Sequence, residues 1–159
     1  MNRRCTLAIL VNDQPGVLQR VAGLFGRRGF NISSITVGAS EEPGLSRMVI
    51  ETEGDKRTLE QIQKQLNKLI DVIKVIEVSA QPMVSRELGL IKVNAEPSVR
   101  PEIFGLVETF RASVVDVSPN TLIIQVVGTS DKIDAMIELL KPYGIRELTR
   151  TGVTAMVRG

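Results

Sequence analysis

D-Q-P-G-V-L-Q-R-V-A-G-L-F-G-R-R-G-F-N-I, running from Asp13 to Ile32, reads as a tight turn, a short amphipathic helix and the entry to a strand. Pro15 presets a helical φ in the first turn. Gly16 carries no side chain, so backbone N–H groups at the helix start stand open to an anion such as a carboxylate. The apolar stripe is Val17, Leu18, Val21, Leu24 and Phe25, with Arg27 and Arg28 in the last turn, where the helix dipole favours cations. Gly29 is a natural left-handed cap, after which Asn31 stands beside the next strand.

Outward from this stretch, Cys5 to Val11 is apolar on both faces, as a central strand should be. Ile32 to Ala39 and Leu45 to Thr52 form a hairpin around Glu41-Glu42-Pro43-Gly44. Asp55 caps a second helix with Leu59, Ile62, Leu66, Leu69 and Ile70 on its apolar face, and Val72 to Val78 supplies a further strand. The order is β-α-β-β-α-β. A short break at Ser79-Ala80-Gln81-Pro82 precedes the same order again. Strand Leu88 to Val93 leads to a helix Pro101 to Phe110 and to a hairpin of Ser113 to Val117 and Thr121 to Val127. A helix capped by Thr129 or Ser130 and stopped by Pro142 follows, then closing strands at Ile145 to Leu148 and Val153 to Val157. The expected fold is α+β, two ferredoxin-like domains over 1–79 and 83–159. Two helices cover only one face of each sheet. A homodimer that buries the other face is the expectation, with mutual cover by the two halves of one chain as the alternative.

Composition narrows the chemistry. In 159 residues with 43% apolar content there is material for a real core, and no apolar run approaches the roughly 20 residues of a membrane span. The N-terminus runs into a strand without a cleavage signature, so a cytoplasmic location is expected. The single cysteine, Cys5, forms no internal disulfide. With no histidine, the usual zinc sites and the Ser–His and Cys–His nucleophile pairs are excluded. A net charge of +2 with scattered basic residues and 3% aromatics argues against nucleic acid. The adjacent carboxylates Glu41 and Glu42 point apart on a turn and receive no acid/base role. Arg47 lies on a strand, facing solvent, a partner or an effector.

A free amino acid needs donors for its carboxylate, acceptors for its ammonium and a pocket for its side chain. Gly16 to Leu18 offer the donors, Asp13 and Asn31 the acceptors, and Val17, Leu18 and Ile32 suit a short branched side chain. By spacing alone, an ordinary turn and an ordinary strand start read equally well. Ala95-Glu96-Pro97-Ser98-Val99-Arg100-Pro101 lacks a glycine, and nothing like Gly29-Phe30-Asn31-Ile32 follows its helix, so any ligand site is expected in the first half.

Asp13-Gln14-Pro15-Gly16-Val17-Leu18 resembles the turn of an ACT domain, a small-molecule sensing module. Arg28-Gly29-Phe30-Asn31-Ile32-Ser33-Ser34-Ile35-Thr36-Val37, Leu45-Ser46-Arg47-Met48 and Glu60 to Leu69 resemble, more specifically, the regulatory small subunit of acetolactate synthase. Val115-Asp116-Val117-Ser118 and Gly128 to Ala135 extend the likeness through the second half. The resemblance implies a subunit with no active site or cofactor of its own. It would activate a thiamine-diphosphate-dependent catalytic large subunit, to which magnesium and FAD would also belong, and carry valine feedback inhibition in valine and isoleucine biosynthesis. A stand-alone amino-acid sensor of another pathway is the alternative. In such proteins the effector lies between two protomers, which here implies Asp13, Gly16, Val17 and Leu18 of one and Asn31 and Ile32 of the other. Many family members have Asn where this chain has Asp13. A carboxylate there repels the carboxylate of the ligand and favours its ammonium; a plain helix cap is the other role open to it.

Overall fold

A computed structural model describes residues 1–159. Two compact units result, residues 1–84 together with 153–159, and residues 85–152.

In the first unit the strands are β1 (Arg3–Asn12), β2 (Asn31–Ala39), β3 (Leu45–Gly54) and β4 (Val72–Glu77), and the helices are α1 (Val17–Arg28) and α2 (Lys56–Asn67). The antiparallel sheet has the order β2-β3-β1-β4, which makes β1 central and β2 an edge. Alternation along β1 sends Cys5, Leu7, Ile9 and Val11 to one face, where they meet Met48 and Ile50 of β3 beneath the two helices. Val17, Val21, Leu24 and Phe25 bury the α1 stripe. Leu18, on its flank, stays 47% exposed. The α1 C-terminus closes as expected: Gly29 has φ 68°, its N–H donates to Gly26 O, and Phe30 N–H reaches back to Phe25 O at 2.9 Å. The Phe25 and Phe30 rings meet edge to face, 6.1 Å apart, across that cap. Asp55 caps α2 by accepting from Thr58 N–H at 2.7 Å. That helix ends at Asn67, before the expected Ile70, which lies 93% exposed beyond it.

The second unit repeats the order with β5 (Met83–Asn94), α3 (Arg100–Thr109), β6 (Ser113–Val117), β7 (Thr121–Gly128), α4 (Ser130–Leu140) and β8 (Ile145–Arg150). Its strands run β6-β7-β5-β8. Ile91, Val93, Leu122, Ile124 and Val126 form its core against Ile103 and Val107 of α3 and Ile133, Met136, Ile137 and Leu140 of α4. Buried Glu87 receives Arg150 and the N–H of Gly152, so the charge is compensated where β8 ends.

The last strand forms as expected but packs elsewhere. β9 (Thr154–Val157) pairs with β5, yet residues 153–159 belong to the first compact unit. Val153 and Ala155 pack with Ala8, Val49 and Val78 on the face of the first sheet that the helices leave open. Val153 N–H donates to Ser34 Oγ at 3.0 Å and Thr36 Oγ1 donates to Val153 O at 3.3 Å. The physical reason is supply of apolar cover: that face carries a small apolar patch, and the alternating Val153, Ala155 and Val157 match it. Part of the surface expected to need a second molecule is thus buried by the chain itself.

Candidate functional site

The turn between β1 and α1 is held at three points by backbone hydrogen bonds. Asn12 N–H donates to Asp71 O at 2.9 Å, Asp13 N–H to Gly44 O at 2.9 Å, and Gln14 N–H to Asn12 O at 3.0 Å. Gly16 then takes φ 86° as the N-cap of α1, a left-handed value that disfavours a side chain. No side chain caps this helix start. Asp13 is therefore not its cap; it is exposed at the turn, its backbone tied to Gly44. Val17 N–H is taken by Gln14 O at 3.3 Å, which leaves the N–H groups of Gly16 and Leu18 as the main-chain donors that suit a carboxylate at the positive end of α1.

Arg20 and Asp71 complete this end of the unit and were not singled out from sequence. Arg20 Nε lies 2.7 Å from Asp71 Oδ2, and its guanidinium leans over Gly16, where an added Cβ would fall 2.9 Å from Nη1. A cation in the first turn opposes the helix dipole, and that oddity is the sequence signal for a local anionic partner. Arg47, in turn, pairs with Glu41 at 2.7 Å and holds that carboxyl down to about 2 through a side-chain hydrogen bond. This engages Arg47 with its own hairpin and leaves Glu41 a structural role.

The six residues singled out from sequence do not come together in one chain. Asn12 pairs with Leu45 at one end of β3, whereas Asn31 pairs with Glu53, opposite Arg4, at the other. Eight steps of β1 separate Arg4 from Asn12, roughly 26 Å at about 3.3 Å per residue. Asp13, Gly16 and Leu18 are exposed at the first end; Asn31 is exposed and Ile32 half-buried at the second. Val17 is buried in the α1 core stripe and presents little to a ligand beyond its backbone.

A βαββαβ sheet with a glycine turn opening its first helix defines the ACT-like class of domain. The AHAS small subunit-like ACT domain matches residues 7–74, and the family described as small subunit of acetolactate synthase matches residues 86–159. The chain belongs to the acetolactate synthase small subunit family. It is 58% identical over 154 residues to a probable acetolactate synthase small subunit of Methanothermobacter thermautotrophicus, covering 96% of this chain and 92% of that one. Identity to the Bacillus subtilis acetolactate synthase small subunit is 54% over 161 residues, covering 100% and 92%. The crystal structure of the small subunit from Thermotoga maritima superposes with a TM-score of 0.92 at 49% identity, over 99% of this chain and 98% of that chain.

Proposed function

We propose that this chain is a non-catalytic regulatory subunit that activates the catalytic large subunit of acetolactate synthase and confers valine feedback inhibition on it. Thiamine diphosphate, magnesium and FAD are assigned to that partner, and the pair to cytoplasmic valine and isoleucine biosynthesis. The observation that carries the reading is the separation of the β1–α1 turn from Asn31 along one sheet whose edge is β2 itself. An open edge pairs readily with another copy. Antiparallel pairing of two β2 strands sets Asn31 of one copy at the Ala39 end of the other, the sheet end that carries the turn. Valine then sits across a homodimer seam, its carboxylate on the amides of Gly16 and Leu18, its side chain against Leu18 and Ile32, and its ammonium near Asp13 and Asn31. By holding two protomers in one arrangement, the effector shifts the complex toward the state it binds more tightly. A coupling of about 1–3 kcal/mol changes the partner's activity or affinity roughly 5–150-fold.

The test mixes the protein with a purified large subunit and follows pyruvate condensation with and without valine. Stimulation by the small subunit and its loss on adding valine are expected; no stimulation overturns the reading. Co-purification of a different enzyme would favour a stand-alone sensor.

A further inference from the structure

The second unit builds a cavity at the place equivalent to the first unit's turn. Asn94 N–H donates to Gly144 O at 2.9 Å and Ala95 N–H to Asn120 O at 2.8 Å. These are the counterparts of the bonds from Asn12 to Asp71 and from Asp13 to Gly44. Arg100 adds a brace that the first turn lacks: its Nε donates to Ala95 O at 2.9 Å and its Nη2 to Ser118 O and to Pro119 O. Tyr143 OH donates to Glu102 at 3.0 Å, tying α3 to the segment before β8 as Arg20 and Asp71 tie α1 to the segment before β4.

Between these braced segments lies a cavity of about 590 Å³, lined by Asn94, Glu96, Asn120, Tyr143 and Arg146 among others. This is within the roughly 300–1,000 Å³ of small-molecule sites. Its two charges are of opposite sign and do not satisfy each other. Arg146 donates to the neutral Asn94 Oδ1 at 3.1 Å and makes no ion pair, and Glu96 makes none either. Asn94 is held through its side-chain oxygen. Its Oδ1 receives Arg146, and its Nδ2 occupies the space above Gly144, where a Cβ would fall 2.5 Å away. The exposed Arg146 guanidinium and the exposed Glu96 carboxylate, neither in an ion pair, line one cavity and complement a molecule that carries both charges; a simple anion or cation would satisfy only one of them.

We propose that this cavity binds a small polar zwitterion, a free amino acid, with its carboxylate on Arg146, its ammonium on Glu96, and its side chain among Asn94, Asn120 and the Tyr143 ring. The site is distinct from the proposed valine site and does not rest on it.

The experiment titrates the full-length, 15N-labelled protein separately with L-serine, L-asparagine and L-glutamine, with acetate and methylammonium as single-charge controls. Saturable amide shifts confined to residues 94–99, 120 and 143–146 are expected with at least one amino acid and with neither control. Arg146→Ala and Glu96→Gln should each weaken that binding about tenfold or more, without lowering the melting temperature. No saturable shift there, equal response to a control, or binding untouched by both substitutions would overturn the proposal. Valine, titrated in parallel and read at residues 13–18 and 31–32, separates the two sites: loss of either response leaves the other standing.

Discussion

The backbone N–H of Val153 donates to Ser34 Oγ at 3.0 Å, across 119 positions of chain, and so fastens the end of the protein to an edge strand of its first sheet. Val153 is 4% and Ala155 7% exposed beneath that fastening. Ala155→Asp places a charge in this apolar contact and should destabilise the first unit by about 2 kcal/mol or more. Hydrogen exchange read at Ala8 and Val49 tests it: both amides should lose protection while those of Ile124 and Val126 keep theirs. Equal loss in both units would contradict the assignment of the tail.

If one valine site takes its turn from one copy and Asn31 from the other, two dead variants should rescue each other. Gly16→Asp and Asn31→Ala are each expected to abolish the valine-dependent rise in melting temperature. That rise reflects about 2.7 kcal/mol at a hundredfold excess over Kd. Co-refolded in equal amounts, half the dimers are mixed and hold one intact site of two, so about a quarter of the wild-type binding capacity should return. Calorimetry counts the sites. A mixture that stays silent would overturn the shared site.

Arg111 is the one non-glycine residue with positive φ, at 52°, and occupies in the second unit the place of Gly29 in the first. The hydrogen bonds agree: Ala112 N–H donates to Val107 O at 2.8 Å, as Phe30 N–H does to Phe25 O at 2.9 Å. A side chain in this conformation costs about 1 kcal/mol. Arg111→Gly should therefore stabilise the second unit by about 0.5–1 kcal/mol in urea unfolding, less the extra entropy glycine adds to the unfolded chain.

Burial, then the hydrogen bond to Glu77 and its charge, push the Cys5 thiol from 9.0 up to about 12. Native protein at pH 8 should thus resist thiol-alkylating reagents that label the unfolded chain at once. The sign for stability follows. Below pH 9 the thiol is protonated in both states and its contribution is intact. Between about 9 and about 12 the unfolded chain alone loses the proton, and stability falls as pH rises. Cys5→Ser should flatten that alkaline limb.

Glu41 responds at the other end of the scale. Held by Arg47, it should titrate near 2 in the folded protein against an ordinary 4.5, a carboxyl shift that NMR reads directly. Its contribution is present above the ordinary value and is lost as pH falls through about 2. Arg47→Ala should return the midpoint toward 4.5.

Much of this was legible because it is local. Gly29, Asp55 and Thr129 announce helix ends through backbone geometry and capping that involve neighbours only a few residues away. Arg111 hid the same signal in the second unit: a left-handed cap without glycine leaves no compositional trace, and the equivalence of the two strand-to-helix turns went unread with it. Leu18 was misjudged because the edge of a helical stripe is set by what lies opposite it, not by spacing. Arg20 and Asp71, 51 positions apart, met only through the fold.

By itself the amino-acid sequence determined two βαββαβ units in order, most of the apolar face of each helix and the glycine turn at the head of α1. Each depends on periodicity, chirality or short-range hydrogen bonding, which act along the chain. The tertiary structure alone decided that residues 153–159 complete the first unit, that Asn12 and Asn31 stand at opposite ends of one sheet, and that Arg146 and Glu96 share a cavity. Alternation in Val153, Ala155 and Val157 tells a strand which side to bury, but the surface that receives it is chosen by register and unmet apolar area elsewhere, and those are properties of the assembled molecule.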